Sequence, residues 1–320
     1  MNIAYLVLAH HQPLQLARLV DRLSGPNSFF FIHVDKKSVH KDAITRLLSA
    51  YNNVQIIATR SVNWMGYSMV NAEIDLMKLA VGSGIAFKYF VLMSGQDYPI
   101  KTNEYINNFF SRHSTDFMQY NSVSYMGEDF KRKHRYYHFS DIPYINPRSP
   151  QRIPSLVYLY FGTHKHLARL VPQKPFYQGM ELFFGSQWFA LTCDTVSYIL
   201  QFITENNGFI KAMKYSQGPD ETFFQTIIMN SERRTNVYDY EKYVEWLKAR
   251  KDDDIFIPGL SSLRYMDWSE RAVSKPAVLD SSYFNELAHS EDLFARKFDE
   301  QASAGLMDKI DSGLLGRQEV

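Results

Sequence analysis

Four short motifs in this 320-residue chain place carboxylates, cations and turn residues together in patterns that can perform chemistry. They occupy residues 32–35 (Ile-His-Val-Asp), 94–100 (Ser-Gly-Gln-Asp-Tyr-Pro-Ile), 218–221 (Gly-Pro-Asp-Glu) and 293–299 (Leu-Phe-Ala-Arg-Lys-Phe-Asp). Carboxylates bind hydroxyl groups or accept a proton from one, and cations stabilise a departing phosphate. Each motif lies next to a segment with the apolar pattern of a strand or a helix, so the fold is expected to hold the motifs in place.

In this order along the chain, the motifs resemble those of the core-2/I-branching β1,6-N-acetylglucosaminyltransferases and the related peptide O-xylosyltransferases, glycosyltransferase family 14. The resemblance covers roughly residues 1–300 and thins between residues 120 and 174, where acceptor specificity is therefore expected. It implies an inverting glycosyltransferase of the GT-A-like fold that transfers a sugar from a UDP-sugar to a glycan hydroxyl without a metal ion.

The first motif ends in Asp35, and the resemblance implies that Asp35 and His10 bind the nucleotide. A carboxylate after a buried strand can accept a hydrogen bond from a ribose hydroxyl or the uracil N–H, but an aspartate there can also cap the next turn. Adjacent His10 and His11 would point to opposite faces of an extended strand, and no Asp or Glu has the spacing of a shared ligand set. We therefore predict no metal site at the two histidines.

The second motif contains one carboxylate, Asp97, where many related enzymes carry Asp-X-Asp; Gly95 stands in place of the first aspartate. One carboxylate beside Gln96 is a poor site for Mn²⁺ or Mg²⁺, which bind several oxygen ligands. We therefore expect neither a metal ion nor another cofactor, and we expect Asp97 to orient hydroxyls of the donor or the acceptor. A turn aspartate before Tyr98 is the alternative.

Without a metal ion, basic side chains must stabilise the leaving diphosphate. Arg264 and Lys297 are the first candidates, because the resemblance places them where family members bring cations to the pyrophosphate; Arg296, next to Lys297, is the second candidate. A guanidinium can bind two phosphate oxygens at once. A single cation is usually a solvated surface charge, but bulky apolar neighbours indicate that these segments are held against the protein. The neighbours are Tyr265, Trp268, Phe294 and Phe298.

The third motif supplies the predicted catalytic base, Glu221, which matches the base in the family's Pro-Asp-Glu string. Inverting transfer needs one carboxylate within hydrogen-bonding reach of the acceptor hydroxyl. Acidic residues also favour the first turn of a helix for electrostatic reasons alone, so spacing by itself favours a structural role. Asp220 is expected to cap the helix or to orient the acceptor.

Ser186, Gln187 and Trp188 resemble the family's Gly-Ser-X-Trp/Tyr-Phe strand and are expected to bind the acceptor, although Trp188 is equally compatible with a core position.

Alternation of short apolar runs with helical periodicity predicts βαβ units and a mostly parallel sheet flanked by helices, an α/β fold of the GT-A-like, Rossmann-like kind. Ligands of such sheets bind at the carboxyl ends of the strands, where Asp35 and Asp97 fall. Strands are expected at 3–8, 29–34, 54–57, 89–93 and 185–191, with one more within 258–280. Helices are expected at 14–23, 41–51, 68–79, 196–205, 221–230 and 281–298.

The segment at about 120–175 is expected to form loops and short helices inserted over the sheet on the acceptor side. We predict one domain over residues 1–300 and a C-terminal tail at 301–320 that is at most a loose amphipathic helix. The basic run at 131–135 (Lys-Arg-Lys-His-Arg) is expected to be a solvated loop, with contact to an anionic, lipid-diphosphate-linked acceptor as the alternative.

Composition limits the partners and the compartment. The 35 basic and 34 acidic residues give a net charge of +1, so no field favours nucleic acid. Cys193 is the sole cysteine, which excludes an intramolecular disulfide and fits a reducing compartment. No run approaches the roughly 20 apolar residues of a membrane span, and the N-terminus lacks a signal-peptide pattern. These features predict a cytoplasmic, bacterial-type member, with contact to the inner face of the membrane as a further option.

The donor remains open between two sugars. The motifs at 265–269 and 294–299 resemble the xylosyltransferase branch, whereas Pro-Asp-Glu at 219–221 resembles the N-acetylglucosaminyl branch. UDP-GlcNAc is slightly favoured over UDP-xylose. The competing hypotheses are a non-catalytic nucleotide- or glycan-binding relative and a metal-dependent sugar-nucleotide hydrolase.

Overall fold

The computed structural model describes residues 1–167, 173–174, 179–251, 262–269 and 274–316. Parts of the predicted insertion (168–172 and 175–178), of the predicted loop (258–261 and 270–273) and the last four residues lie outside the described residues. The described strands are β1 (Asn2–Ala9), β2 (Ser28–Val34), β3 (Val54–Ile57), β4 (Phe87–Ser94), β5 (Asp97–Pro99), β6 (Phe117–Met118), β7 (Asn121–Ser122), β8 (Phe183–Phe184), β9 (Phe189–Thr192), β10 (Arg264–Met266) and β11 (Phe294–Arg296). The described α-helices are α1 (Pro13–Leu23), α2 (Lys41–Leu48), α3 (Tyr67–Gly82), α4 (Asn103–Arg112), α5 (Glu128–Arg135), α6 (Pro154–Leu167), α7 (Cys193–Glu205), α8 (Asn207–Met213), α9 (Phe223–Met229), α10 (Tyr240–Ala249), α11 (Phe284–His289) and α12 (Ala304–Gly313).

The main sheet has the strand order β3-β2-β1-β4-β9-β6. The first four of these strands are parallel, and β9 runs antiparallel to both β4 and β6. Helices α1, α2 and α3 connect the parallel strands, as the alternating apolar pattern predicted. The predicted α/β, mostly parallel fold is confirmed.

Strand β1 lies at the centre of the sheet and separates two apolar cores. Ala4 and Leu6 face the core formed with α3, α7 and α9. Ile3, Tyr5 and Val7 face the core formed with α1, α2 and α4. Both faces are covered because successive side chains of a strand point to opposite sides, and burial of each large side chain contributes about 1.5–3 kcal/mol. The carboxyl ends of the parallel strands are therefore mounted on a rigid base.

A second, three-stranded sheet has the order β10-β11-β5. Strand β11 replaces the end of the helix predicted at 281–298, and that prediction is wrong beyond residue 289. The chain forms a 3-10 turn at Ser281–Tyr283, continues as α11 and leaves the helix at Ser290. Residues 294–296 then pair with strands on both sides. Pairing on two edges satisfies the backbone of this segment and overrides its local preference for helix.

The segment predicted as a loose tail contains helix α12, which packs closely against the body. Leu306, Met307 and Ile310 enter a third apolar core that also contains Tyr98 and Phe298. Asp311 at the end of this helix accepts hydrogen bonds from the Tyr98 hydroxyl at 2.7 Å and from Arg18 at 2.7 Å. The expectation of a loose tail is therefore wrong, because the apolar stripe of the helix is buried.

The predicted insertion consists, where it is described, of loops, the short strand β7, a 3-10 turn and helices α5 and α6. The basic run at 131–135 lies on α5, and so the expectation of a loop there is wrong.

Strand β9 begins at Phe189, four residues later than predicted. At Gly185 a Cβ atom would lie 1.8 Å from the Gln119 carbonyl oxygen, so the backbone at this point requires glycine. No helix within the described residues is both long and apolar enough to cross a membrane.

Candidate active site

Side chains from the predicted motifs gather at the carboxyl ends of β1, β2 and β4. Asp35 follows β2, and its N–H donates to the Ala9 carbonyl oxygen at the end of β1 at 2.9 Å. Gly95 follows β4, and its N–H donates to the Leu8 carbonyl oxygen at 2.9 Å. These bonds hold the ends of three neighbouring strands in register. The site therefore lies where ligands bind in open parallel sheets.

The Asp35 carboxylate organises the loops around it. Its Oδ1 accepts hydrogen bonds from the backbone N–H of Lys37 at 3.0 Å and from that of Val62 at 3.3 Å. Lys37 Nζ lies 3.7 Å from Oδ2, and 14% of the Asp35 side chain stays exposed. The turn-capping role considered for Asp35 is thus present. Its predicted contact with the nucleotide stays a prediction.

His10 and His11 stack on each other, with ring centroids 3.9 Å apart and ring planes 15° from parallel. The expectation that the rings point to opposite faces of a strand is wrong, because β1 ends at Ala9 and the chain turns there. Partial burial, the neighbouring His11 and nearby Arg296 lower the pKa of His10, and Asp35 opposes that shift. His10 is therefore neutral near pH 7 and presents a planar, uncharged ring beside Asp35.

Asp97 and Arg264 form an ion pair inside the protein. Arg264 Nε donates to Asp97 Oδ2 at 2.9 Å, and both side chains are fully buried. The rest of the guanidinium donates to the Ser262 carbonyl oxygen at 2.8 Å and to the Leu92 carbonyl oxygen. The predicted contacts of Asp97 with substrate hydroxyls and of Arg264 with the diphosphate stay predictions. Both groups use their polar atoms to position other residues.

Arg296, ranked second from the sequence, is the cation that Asp97 positions towards the site. Its Nη1 donates to Asp97 Oδ1 at 3.1 Å, and 16% of its side chain is exposed. Its guanidinium carbon lies 4.6 Å from the centroid of the Trp188 ring. Lys297 follows directly and is half-buried. Burial and the nearby charges of Arg296 and Arg148 lower the pKa of Lys297, so two other cations lie near this lysine.

The Trp188 ring contacts the guanidinium groups of both arginines, Arg264 and Arg296. The ring is buried, and the guanidinium of Arg264 lies 5.6 Å from its centroid. Ring faces attract guanidinium groups, so Trp188 uses its faces for cations. The core position considered for Trp188 is therefore found, and its predicted contact with the acceptor stays a prediction. The preceding Ser186 and Gln187 are half-buried, and Gln187 Nε2 donates to Glu73 Oε1 at 2.6 Å.

The acid pair Asp220 and Glu221 lies in a 3-10 turn rather than in the first turn of α9. Gly218 begins this turn with a φ of 67°, a value that L side chains rarely adopt. Desolvation and the Glu221 charge raise the pKa of Asp220 to about 7. Desolvation also raises the pKa of Glu221, whereas the Lys133 charge lowers it. A carboxylate with a raised pKa in a half-buried position is suited to accept a proton.

Residues 185–188 connect the acid pair with the cations. The Gly185 N–H donates to the Glu221 carbonyl oxygen at 2.9 Å, and Trp188, three residues later, contacts Arg296. Gln225 from α9 also donates to the Ser186 carbonyl oxygen at 2.7 Å. The candidate base and the candidate phosphate-binding cations are thus fixed relative to each other by one short, well-bonded segment.

The sequence model of the Core-2/I-branching enzyme family matches residues 3–287. The chain belongs to this family. Arg296 and Lys297 lie beyond the matched residues, so their assignment depends on the contacts described above.

Several relatives are glycosyltransferases. Human "Xylosyltransferase 2" is 28% identical over 240 residues, which is 72% of this chain and 25% of the relative. "Xylosyltransferase 1" of Rattus norvegicus is 24% identical over 326 residues, 99% of this chain and 36% of the relative. Human "Beta-1,3-galactosyl-O-glycosyl-glycoprotein beta-1,6-N-acetylglucosaminyltransferase" is 26% identical over 317 residues, 93% of this chain and 66% of the relative. The chain spans about a quarter of the length of xylosyltransferase 2. The predicted family is confirmed, and these relatives carry the predicted enzyme class, glycosyltransferase.

Two side chains near the acid pair in this Core-2/I-branching enzyme were missed from the sequence. Glu73 lies fully buried on α3, and its Oε2 has no hydrogen-bond partner among the described residues. Desolvation and Asp220 raise its pKa well above the usual range. The sequence signal that could have identified Glu73 is the presence of a glutamate among the regularly spaced apolar residues of α3. Lys133 on α5 was considered only as part of a basic run, although its charge acts on both Asp220 and Glu221.

Within the described ranges, no group of three or more His, Cys, Asp or Glu side chains is arranged to hold a metal ion. Asp97, the carboxylate of the second motif, already accepts hydrogen bonds from the Ser94 N–H, Arg264 and Arg296. The residues present therefore fit a divalent ion poorly, because Mg²⁺ and Mn²⁺ need several free oxygen ligands. Metal independence stays a prediction about the reaction.

Proposed function

We propose that this chain is an inverting glycosyltransferase that transfers a sugar, preferentially GlcNAc, from a UDP-sugar to a glycan hydroxyl without a metal ion. The observation that carries the proposal is the segment 185–188, which joins the Glu221 backbone at one end to Arg296 at the other. Inverting transfer requires such a pairing, with a base on one face of the sugar and positive charge at the leaving group on the opposite face.

The nucleoside would bind at the ends of β1 and β2. The exposed part of the Asp35 carboxylate is available to a ribose hydroxyl or the uracil N–H, and the neutral His10 ring offers a flat surface to the base. The Asp35 N–H is bonded to the Ala9 carbonyl oxygen, and the His10 carbonyl oxygen accepts from the Ser38 hydroxyl at 2.6 Å, so little ordering is needed when the nucleotide binds.

In the transfer step, the acceptor oxygen attacks the anomeric carbon and its proton passes to the Glu221 carboxylate. The bond between the anomeric carbon and the phosphate oxygen breaks, and its electron pair leaves with UDP. Arg296 and Lys297 stabilise the developing charge on the diphosphate. Arg296 is preorganised for this role, because Asp97 and Trp188 fix its guanidinium before the donor arrives.

The second candidate donor is UDP-xylose. It is supported by the rat xylosyltransferase 1 match, which extends over 99% of the chain, and by the Arg-Lys pair of the last motif. The acceptor is proposed to be a glycan, free or lipid-linked. A cytoplasmic location with contact to the inner membrane face is part of the proposal, and cell fractionation tests it.

The direct test is UDP release from a panel of UDP-sugars, with and without glycan acceptors, in excess EDTA throughout. Acceptor-stimulated release from UDP-GlcNAc supports the proposal, whereas release from UDP-xylose alone selects the second donor. Activity that appears only after Mg²⁺ or Mn²⁺ is restored overturns the metal-free mechanism. UDP binding without release from any donor and acceptor supports a non-catalytic binding relative.

A further inference from the structure

Arg148 is an exposed cation from the inserted region that the motifs did not identify. Its guanidinium carbon lies 3.9 Å from the centroid of the Trp64 ring, at van der Waals distance. Stacking of this kind fixes the plane of a guanidinium while its N–H donors stay free at the edges. Arg148 is thus held in place yet accessible.

Buried Asn146 fixes the backbone next to this arginine. Its Nδ2 donates to the Trp64 carbonyl oxygen at 2.8 Å and to the Ser140 carbonyl oxygen at 2.7 Å. Its Oδ1 accepts from the Arg148 N–H at 3.0 Å. One amide therefore ties the inserted region to the Trp64 segment, and Arg148 occupies a defined position over that segment.

The Trp64 segment lies between the nucleotide end and the base end of the candidate site. The Val62 N–H donates to Asp35 Oδ1 at 3.3 Å, on the nucleotide side. The Met65 carbonyl oxygen accepts from the Gly218 N–H at 3.0 Å, on the side of Glu221. A guanidinium stacked on Trp64 therefore lies near the centre of the site, where the diphosphate of a bound donor connects the nucleoside to the sugar.

Charge supports the same assignment. Among the described residues, neither Arg148 nor Lys297 has a carboxylate within ion-pair distance. Arg148 is close enough to Lys297 to lower the pKa of that lysine together with Arg296. Lys297 therefore lies near both other cations, and within the described part of the chain one carboxylate, that of Asp97, is paired with any of the three. Such an arrangement favours a bound anion with more than one negative charge.

We propose that Arg148 is the third cation of the phosphate site and binds the diphosphate of the nucleotide sugar from the inserted region, opposite Arg296 and Lys297. This inference rests on the proposed function and extends it. It makes the inserted region part of donor binding as well as acceptor binding, and it assigns to Trp64 the role of orienting Arg148.

The test is equilibrium binding of UDP and of uridine to wild type, Arg148→Met, Arg148→Lys and the control Arg152→Met, at low and moderate salt. Arg152 is exposed in the same loop, and among the described residues its side chain donates to the Ser149 carbonyl oxygen, at 3.4 Å. We expect Arg148→Met to weaken UDP binding roughly tenfold and to reduce its salt dependence, with uridine affinity unchanged. Arg148→Lys should fall between, because it keeps the charge and loses the planar stack.

The outcomes separate the two proposals. UDP affinity in Arg148→Met equal to that of wild type and Arg152→Met overturns the role of Arg148. Equal loss of UDP and uridine affinity also overturns it, because it indicates a structural effect on the loop. Failure of wild type itself to bind UDP overturns the proposed function. A thermal melt of each variant identifies any loss of folding.

Discussion

Arg296 lies directly opposite Asp97 in the small antiparallel pair of strands, and its guanidinium donates to the Asp97 carboxylate at 3.1 Å. Arg264, on the other side of β11, occupies the second oxygen of the same carboxylate at 2.9 Å. The buried carboxylate thus neutralises one arginine inside the protein and directs the other outward. The register of three short strands determines which of the two cations can meet a ligand.

Asp97→Asn is expected to destabilise the protein by about 3–5 kcal/mol, because it leaves the fully buried Arg264 without its counter-charge. Urea denaturation measures this change in the free energy of unfolding. The control is Asp308→Asn, which removes an exposed partner of Arg18 and should cost less than about 1 kcal/mol. Equal effects of the two substitutions would contradict the buried ion pair. The double variant Asp97→Asn/Arg264→Met should be more stable than the sum of the single effects predicts.

The sequence predicted the parallel half of the fold well, because its strands are short apolar runs separated by periodic helices. It failed at β11, where Phe294 and Ala295 are buried through pairing with strands that are distant in sequence. Local periodicity carries no information about such pairing. The same limit explains why the sequence did not show that Arg264 is fully buried while Arg296 stays partly exposed, since burial of a cation depends on its tertiary neighbours.

Glu73 and Arg148 show a second limit of sequence reasoning. Each contacts a residue more than 80 positions away in the sequence. Glu73 accepts a hydrogen bond from Gln187, and Arg148 stacks on Trp64. Motif spacing made Asp35, Glu221 and Lys297 candidates because these residues lie next to recognisable strand or turn signals. Side chains delivered by a helix interior or by an inserted region lack such signals.

Glu221→Gln is expected to lower kcat by roughly 10²–10⁴-fold and to leave UDP affinity unchanged, because the amide keeps the shape of the side chain and cannot accept the acceptor's proton. Steady-state transfer assays combined with UDP titration measure the two quantities. Asp220→Asn is the matched comparison and should keep more activity than Glu221→Gln. If Asp220→Asn proves the more damaging of the two, the assignment of the base moves to Asp220.

Lys133→Met is expected to shift the acid limb of the pH–rate profile to higher pH. The Lys133 charge lowers the pKa values of Asp220 and Glu221, so its removal lets both rise, and the base is then protonated at a pH where wild type is active. Transfer rates between pH 5 and 9 measure the shift. Lys131→Met is the control on the same helix, because Lys131 lies 3.7 Å from exposed Glu128. An unchanged acid limb in Lys133→Met would separate Lys133 from the base.

Glu73→Gln is expected to fold and to retain the acceptor KM, whereas Glu73→Ala should raise that KM several-fold. In wild type the hydrogen bond from Gln187 to Glu73 is 2.6 Å long. Glutamine at position 73 keeps an oxygen that can accept this bond, whereas alanine has no acceptor. Equal kinetic parameters for both variants would contradict the idea that Glu73 positions Gln187, one of the side chains predicted to bind the acceptor.

Glu73→Gln also tests the raised pKa of Glu73, through the pH dependence of the free energy of unfolding. An acid whose folded-state pKa exceeds its unfolded value of 4.5 binds more protons in the folded state, so wild type loses stability as pH rises from about 4.5 towards the folded pKa. The slope is at most about 1.4 kcal/mol per pH unit. Glu73→Gln lacks this titration, and its stability relative to wild type should therefore increase between pH 5 and 8, as measured by urea denaturation at each pH. A constant difference over this range would indicate that Glu73 is ionised in the folded protein and that a cation or an ordered donor meets its Oε2.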